Sequence, residues 1–310
     1  MDEHLQTIRV SVRAKNGETV DLDATIQDTL PHGSDVGTVV VFHGVPGSHN
    51  DFKTLRSHLQ ERGIRFIVTD FPGFGYTPQD ERLCCDSDEA VQFADEVLKR
   101  IDPKGKLIFL GHSRGSELAL RMAALNESRT NAVVLVNPIG FSAHRSVRPR
   151  WVCAFLAWLL SFGAAVRFIL KPLLYFFFSK LMCMKIKNGE VAATIVRTVS
   201  VTDFPSQLRY VQQLRDSHVQ VLITYGGSDP IIEQPISDHF VQQFGDIKCL
   251  NCSSRKPEQS TFDEYAKMIR CEGNKVAICF SKEGHQLQKN RATFLADAIL
   301  ALLNNDQKHK

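Results

Sequence analysis

Residues 107–118 read LIFLGHSRGSEL: a short apolar run, a serine set between two glycines, and then the start of a helical pattern. Two readings compete. The stretch is either a glycine-rich turn that happens to hold a serine, or a turn built to present Ser113. A sharp strand-to-helix turn forces its central residue into a strained backbone conformation, so the residues two positions before and after it must lack bulk. Gly111 and Gly115 meet that demand. The hydroxyl would then project at the carboxyl edge of a sheet, beside a helix N-terminus that favours developing negative charge.

The flanking sequence supplies the sheet. IRVSVRA and TVDLDATI alternate apolar and polar residues, as half-buried peripheral strands do. TVVVF, RFIVT, KLIFL, NAVVLV, VQVLITYG and KVAICF are short continuous apolar runs, the pattern of strands buried on both faces. Amphipathic stretches such as DEAVQFADEVLKRI, SELALRMAAL and TFLADAILALL alternate with them. This order predicts an α/β fold: a mostly parallel sheet covered on both faces, with a helical cap inserted after the sixth strand. The core is expected at 1–140 and 206–310, and the insertion at 141–205.

A nucleophilic serine needs a base, and the base needs an orienting carboxylate. VQVLITYGGSDP places Asp229 just past an apolar strand, and KVAICFSKEGHQ places His285 just past the last one. Alone, Asp229 reads as a turn residue before proline and His285 as a surface-loop histidine. Together with Ser113 they follow the chain order Ser, Asp, His that a GxSxG turn expects. Asp238 and His239 fall within a predicted helix, and Asn137, at a strand end, offers no carboxylate. An acyl-transfer site also needs two backbone donors for an oxyanion. HGVPG offers the amide of Val45, since Pro46 has none, and the elbow offers the amide of Arg114.

HGVPG (43–47), DFPGFGYT (70–77), GHSRG (111–115), GGSDP (226–230) and EGH (283–285) together resemble the α/β-hydrolase superfamily across nearly the whole chain. The resemblance is to its serine-nucleophile branch and, within that, to a poorly characterised invertebrate group. It implies an α/β-hydrolase fold, with Ser113 as nucleophile, His285 as base, Asp229 as its orienting acid, and 141–205 in the place of the variable cap. Epoxide and haloalkane hydrolases share most of these motifs but use an aspartate nucleophile. Serine at 113 argues instead for ester, thioester, amide or carbon–carbon bond hydrolysis.

Composition bounds the rest. The 310 residues are 43% hydrophobic and 23% charged with a net charge of +3, a globular balance that does not suggest nucleic-acid binding. The N-terminus, MDEHLQTIRV, has no apolar core, so no secretory signal is expected. An intracellular protein, cytoplasmic or peripherally attached to a membrane, is expected to keep its eight cysteines reduced. Cys249 and Cys252 form a CxxC without a second pair or a suitable histidine pair, so plain thiols are expected there and no metal. No organic cofactor is expected either.

The insertion is unusual. From Ser128 to Gly189 there is no Asp or Glu, yet there are nine basic residues: Arg129, Arg145, Arg148, Arg150, Arg167, Lys171, Lys180, Lys185 and Lys187. Trp151 to Val166 carries no charge at all, and LLYFFF follows. Three readings stand: a cap packed over the site, a cap that also docks through 145–187 on an anionic membrane surface, or a true span. A single span at 151–170 would place Ser113 and His285 on opposite sides of a membrane. Two arms broken near Lys171–Pro172 could dip in and return.

The expected activity is hydrolysis of an ester or thioester in a lipophilic small molecule through an acyl-enzyme. The alternatives are a non-catalytic binding or membrane-docking protein on the same fold, and an acyltransferase using the same triad. Retention of all three triad positions favours an enzyme.

Overall fold

A computed structural model describes residues 4–253, 258–271 and 274–305 of the chain. The first two strands, β1 (Leu5–Arg13) and β2 (Thr19–Asp28), pair antiparallel with Leu5 opposite Gln27 and Arg13 opposite Thr19. Their alternating pattern buries Val10, Val12, Val20, Leu22, Ala24 and Ile26 on one side. They form one margin of a nine-stranded sheet whose order is β1-β2-β4-β3-β5-β6-β7-β9-β8.

The parallel part begins with β3 (Thr38–Phe42), which α1 (Lys53–Glu61) connects to β4 (Arg65–Thr69). It continues through α2 (Ser87–Ile101), β5 (Leu107–His112), α3 (Arg114–Leu125) and β6 (Thr130–Val136). The insertion follows as α4 (Arg150–Leu160), α5 (Ala164–Phe176) and α6 (Gly189–Ser200), with α7 (Leu208–Arg215) leading back to β7 (Gln220–Gly226). The chain closes with α8 (Gln234–Gln242), β8 (Lys248–Cys252), α9 (Glu258–Cys271), β9 (Lys275–Phe280), α10 (Leu287–Asn290) and α11 (Ala292–Asn304).

The continuous apolar runs have a simple cause. In β3, Val39 and Val41 pack into the cluster that holds α1 and α11, while Val40 and Phe42 pack into the opposite cluster with α3 and α8. Both faces of the strand are covered, so both sets of alternating side chains are apolar. Each such side chain contributes about 1.5–3 kcal/mol on burial.

Two places depart from the sequence reading. KCLNC, which has no apolar run, forms the parallel edge strand β8 beside β9, with only Cys252 buried. Its pairing comes from β9, not from a pattern of its own. In the insertion the break falls at Ser161–Gly163 and not at Lys171–Pro172. Gly163, the N-cap of α5, has φ +103, a conformation that glycine adopts at little cost. Pro172 instead lies inside α5, where one backbone hydrogen bond is lost but the helix runs on against α6 through Leu170 and Leu174. Among the described residues no helix is long and apolar enough to cross a membrane.

Candidate active site

β5 ends at His112 and α3 begins at Arg114, leaving Ser113 alone between them at φ 53 and ψ −124. That conformation costs an ordinary residue roughly 1–3 kcal/mol and persists only where the surroundings enforce it. Here they do. A Cβ on Gly111 would overlap the carbonyl of Gly115, and one on Gly115 would overlap the carbonyl of Phe42. The Ser113 amide is tied to the Val136 carbonyl at 2.9 Å. The serine is 8% exposed, at the N-terminus of a twelve-residue helix.

The structure brings Asp229 and His285 together across 56 residues of chain. His285 Nδ1 donates to Asp229 Oδ2 at 2.7 Å, which leaves Nε2 of a neutral ring free to accept a proton. The Asp229 carboxylate is held from several sides. Oδ1 accepts the amides of Ile231 at 2.8 Å and Ile232 at 3.1 Å, and Oδ2 also accepts Asn137 Nδ2 at 2.7 Å. Burial alone would raise this carboxyl, but His285, the Ile231 amide and Asn137 outweigh it and hold it below the usual carboxylate range. Asp229 is therefore ionised at neutral pH and fixes the tautomer of its partner.

The elbow is pinned to the histidine loop. His112 Nε2 donates to the His285 carbonyl at 2.8 Å, and the two imidazoles lie 4.9 Å apart. Burial, with His285 adjacent, pushes His112 down to about 3, so its ring stays neutral. Asn137 Nδ2 reaches the Gly284 carbonyl at 3.1 Å, so one side chain braces both the Asp229 carboxylate and the loop that carries His285.

Val45 and Arg114, whose amides the sequence suggested as donors, are both lining residues of one cavity of about 60 Å3 beside the elbow, with Phe71, Phe74, Leu83 and Leu118 among its apolar walls. Gly44 sits against the elbow: a Cβ there would lie 3.1 Å from that of Ser113. His43 sets the peptide that follows. It is fully buried, and burial lowers its pKa, so the ring is neutral. Its Nε2 accepts the Phe71 amide at 3.0 Å, so Nδ1 carries the hydrogen and donates to the Gly44 carbonyl at 2.7 Å. A trans peptide directs its N–H opposite its C=O, so fixing the Gly44 carbonyl fixes the Val45 amide as well. The Arg114 amide belongs to the first turn of α3, where helical amides have no partner within the helix. The Arg114 side chain is engaged elsewhere, with Glu117 and with Ser87 Oγ at 2.9 Å.

Three participants were missed from sequence. Asn137 was set aside because it offers no carboxylate, but its value lies in donating to one. His112 was read only as part of the GxSxG pattern. His144, at the start of the insertion, is buried and packs edge-on to Phe204 at 5.9 Å. Burial and the nearby His285 push it down to about 4. A lone histidine after a proline turn carries no sequence signal for that position. Cys249 and Cys252 fall on opposite faces of β8, one exposed and one buried, so the CxxC cannot converge on one ion. Among the described residues no group of three His, Cys, Asp or Glu is arranged to hold a metal.

The sequence model of the family described as "Alpha/beta hydrolase of unknown function (DUF1057)" matches residues 3–304. A Caenorhabditis elegans relative, "Uncharacterized protein F35H12.5", is 25% identical over 312 residues, covering 96% of this chain and 87% of its own. Among solved structures, a thermophilic esterase from Thermogutta terrifontis gives a TM-score of 0.64 at 15% identity, over 95% of this chain and 96% of that one. An esterase from Exiguobacterium antarcticum gives 0.61 at 16% identity, over 96% and 99%. At such identities the structural likeness speaks for the fold.

Proposed function

Because the chain belongs to the alpha/beta-hydrolase family matched over residues 3–304, we propose that it is a serine hydrolase acting on an ester or thioester bond of a lipophilic small molecule. The observation that carries the reading is the buried His285–Asp229 pair, 2.7 Å apart, on loops past two strand ends, with His112, the residue before a serine held at φ 53, bonded to the His285 carbonyl. Such strain is retained where an exposed turn serine would have no use for it.

Ser113 Oγ attacks the acyl carbon, and His285 Nε2 takes the hydroxyl proton. Asp229 stabilises the imidazolium through Nδ1 without itself taking the proton. The carbonyl oxygen becomes an oxyanion between the Val45 and Arg114 amides. His285 then protonates the leaving alcohol or thiol, and the acyl group stays on Ser113. Water, deprotonated by the same histidine, releases the acid and restores the serine. The reading of a lipophilic substrate rests on the apolar walls of the cavity that Val45 and Arg114 line.

Hydrolysis of p-nitrophenyl esters of increasing acyl length, with Ser113→Ala as control, tests this. A rising kcat/KM with chain length, abolished in the variant, is the expected result. Equal rates for acetate and long-chain esters would remove the lipophilic part. Activity that survives in Ser113→Ala would remove the serine mechanism. Product analysis with an added alcohol separates hydrolysis from acyl transfer.

A further inference from the structure

The insertion turns its most apolar surface away from the rest of the fold. On α4 and just past its end, Trp151, Phe155, Trp158 and Phe162 recur at helical spacing and are all exposed, Trp151 by 69% and Trp158 by 55%. On α5, Ile169, Leu173 and Phe176 do the same, beside Phe168 at 81%. Three of these aromatic rings already touch one another. Phe155 stacks on Trp158 at 5.7 Å, and Trp158 meets Phe162 edge-on at 4.5 Å. The inner faces are used up: Leu160 and Leu174 pack on Ala192, Ala193 and Val196 of α6. Scattered exposed apolar residues are ordinary, but a contiguous plate of this kind marks a binding surface.

Charge and length identify the occupant. From Ser128 to Gly189, a span that takes in α4 and α5, there is no acidic residue. Its cations meet carboxylates only from beyond that span, as Arg167 does with Glu81 at 2.9 Å and Lys171 with Glu190 at 2.6 Å. Lys180 and Lys185 stand exposed at the end of the plate, flanking Leu181 and Met182. A second copy laid face to face would bring like charges together, whereas an anionic surface would be drawn to them. With 11 and 13 residues, α4 and α5 are too short to span a bilayer, which leaves them to lie in its plane.

We propose that the outward faces of α4 and α5 dock this protein on an anionic lipid bilayer. The aromatic residues sit at the headgroup–acyl boundary, and Lys180 and Lys185 contact the headgroups. The plate rests on α6, whose Thr198 lines the cavity beside Arg114. Docking therefore places that cavity one helix layer from the lipid. The consequence that substrate is drawn from the membrane rests on the serine-hydrolase reading; docking itself does not.

Trp151 and Trp158 are the only two tryptophans of the chain, so its indole emission reports the plate alone. The test adds the full chain to vesicles of phosphatidylcholine with or without phosphatidylserine. The expected result is a blue-shifted emission, quenched by brominated lipid, with the serine-containing vesicles and only weakly with the others. Phe168→Asp with Ile169→Asp should abolish the shift. Lys180→Gln with Lys185→Gln should weaken binding roughly thirtyfold, at about 1 kcal/mol per lysine. Emission unchanged by either vesicle would overturn the proposal. So would equal binding to both, or a concentration-dependent dimer whose emission is already blue without lipid. Hydrolysis of a short soluble ester, measured on the same Phe168/Ile169 variant without vesicles, should match the parent chain. Its absence from both would count against the catalytic reading and leave the docking result standing.

Discussion

Helices α5 and α11 are both 13 residues long, and both are apolar, yet they meet opposite fates. α11 buries Phe294, Leu295, Ile299, Leu302 and Leu303 against the sheet, whereas α5 fully buries only Leu174. Apolar content states that a helix must be covered but not by what. α11 is covered by the chain that encodes it. α5 has one helix beneath it and an open aromatic face above. The same contrast separates the sheet edge, where the Asp229 carboxylate is held by four donors, from the insertion, whose largest side chains pack mainly on one another and stay exposed.

Variants can break or sharpen this contrast. The greatest effect is expected at the sheet edge. His285→Ala should lower kcat/KM about 10^4-fold or more while leaving the folded structure intact, since triad members act as a unit. Next, Leu295→Ala in α11 should cost about 2–5 kcal/mol in urea unfolding. Leu173→Ala in α5 should stay within about 0.5 kcal/mol, the range of a surface change. Equal losses would mean that α5 is covered within the monomer after all.

Asn137→Ala removes a donor to the Asp229 carboxylate. A hydrogen bond to a charged group contributes about 1.5–3 kcal/mol, so kcat/KM should fall roughly tenfold to a hundredfold. KM should change little, because Asn137 acts through Asp229 and not on substrate. A loss confined to KM would contradict that role.

The smallest effect is one of slope. His112 has its pKa depressed from 6.5 to about 3 in the folded chain. Between those values the unfolded chain binds the proton and the folded chain does not, so stability is complete above about pH 6.5 and falls as pH drops toward 3. Each such histidine contributes about 1.4 kcal/mol per pH unit in that window. His112→Gln should flatten the decline between pH 6 and 4 by about that amount. An unchanged slope would mean that His112 is not buried neutral.

What could be read from the chain follows the same physics. β3 to β7 and β9 were legible because burial on both faces forces continuous apolar runs. The elbow was legible because Gly111 and Gly115 are the residues its close approaches require. Asp229 and His285 could be found by their places past strand ends, and the structure puts them in contact. β8 was not legible, since its partner strand supplies the reason for its shape. Neither was Asn137, whose role is a tertiary hydrogen bond that no local pattern encodes. The break at Gly163 was hidden by the stronger signal of Pro172, which tertiary packing against α6 overrides.

The central claim is that Ser113 is an activated nucleophile, and covalent labelling with a fluorophosphonate probe tests it directly. The account predicts a single adduct on the peptide carrying Ser113, lost in Ser113→Ala and strongly reduced in His285→Ala. A folded chain that takes no label, with detergent present to free the insertion, would contradict it.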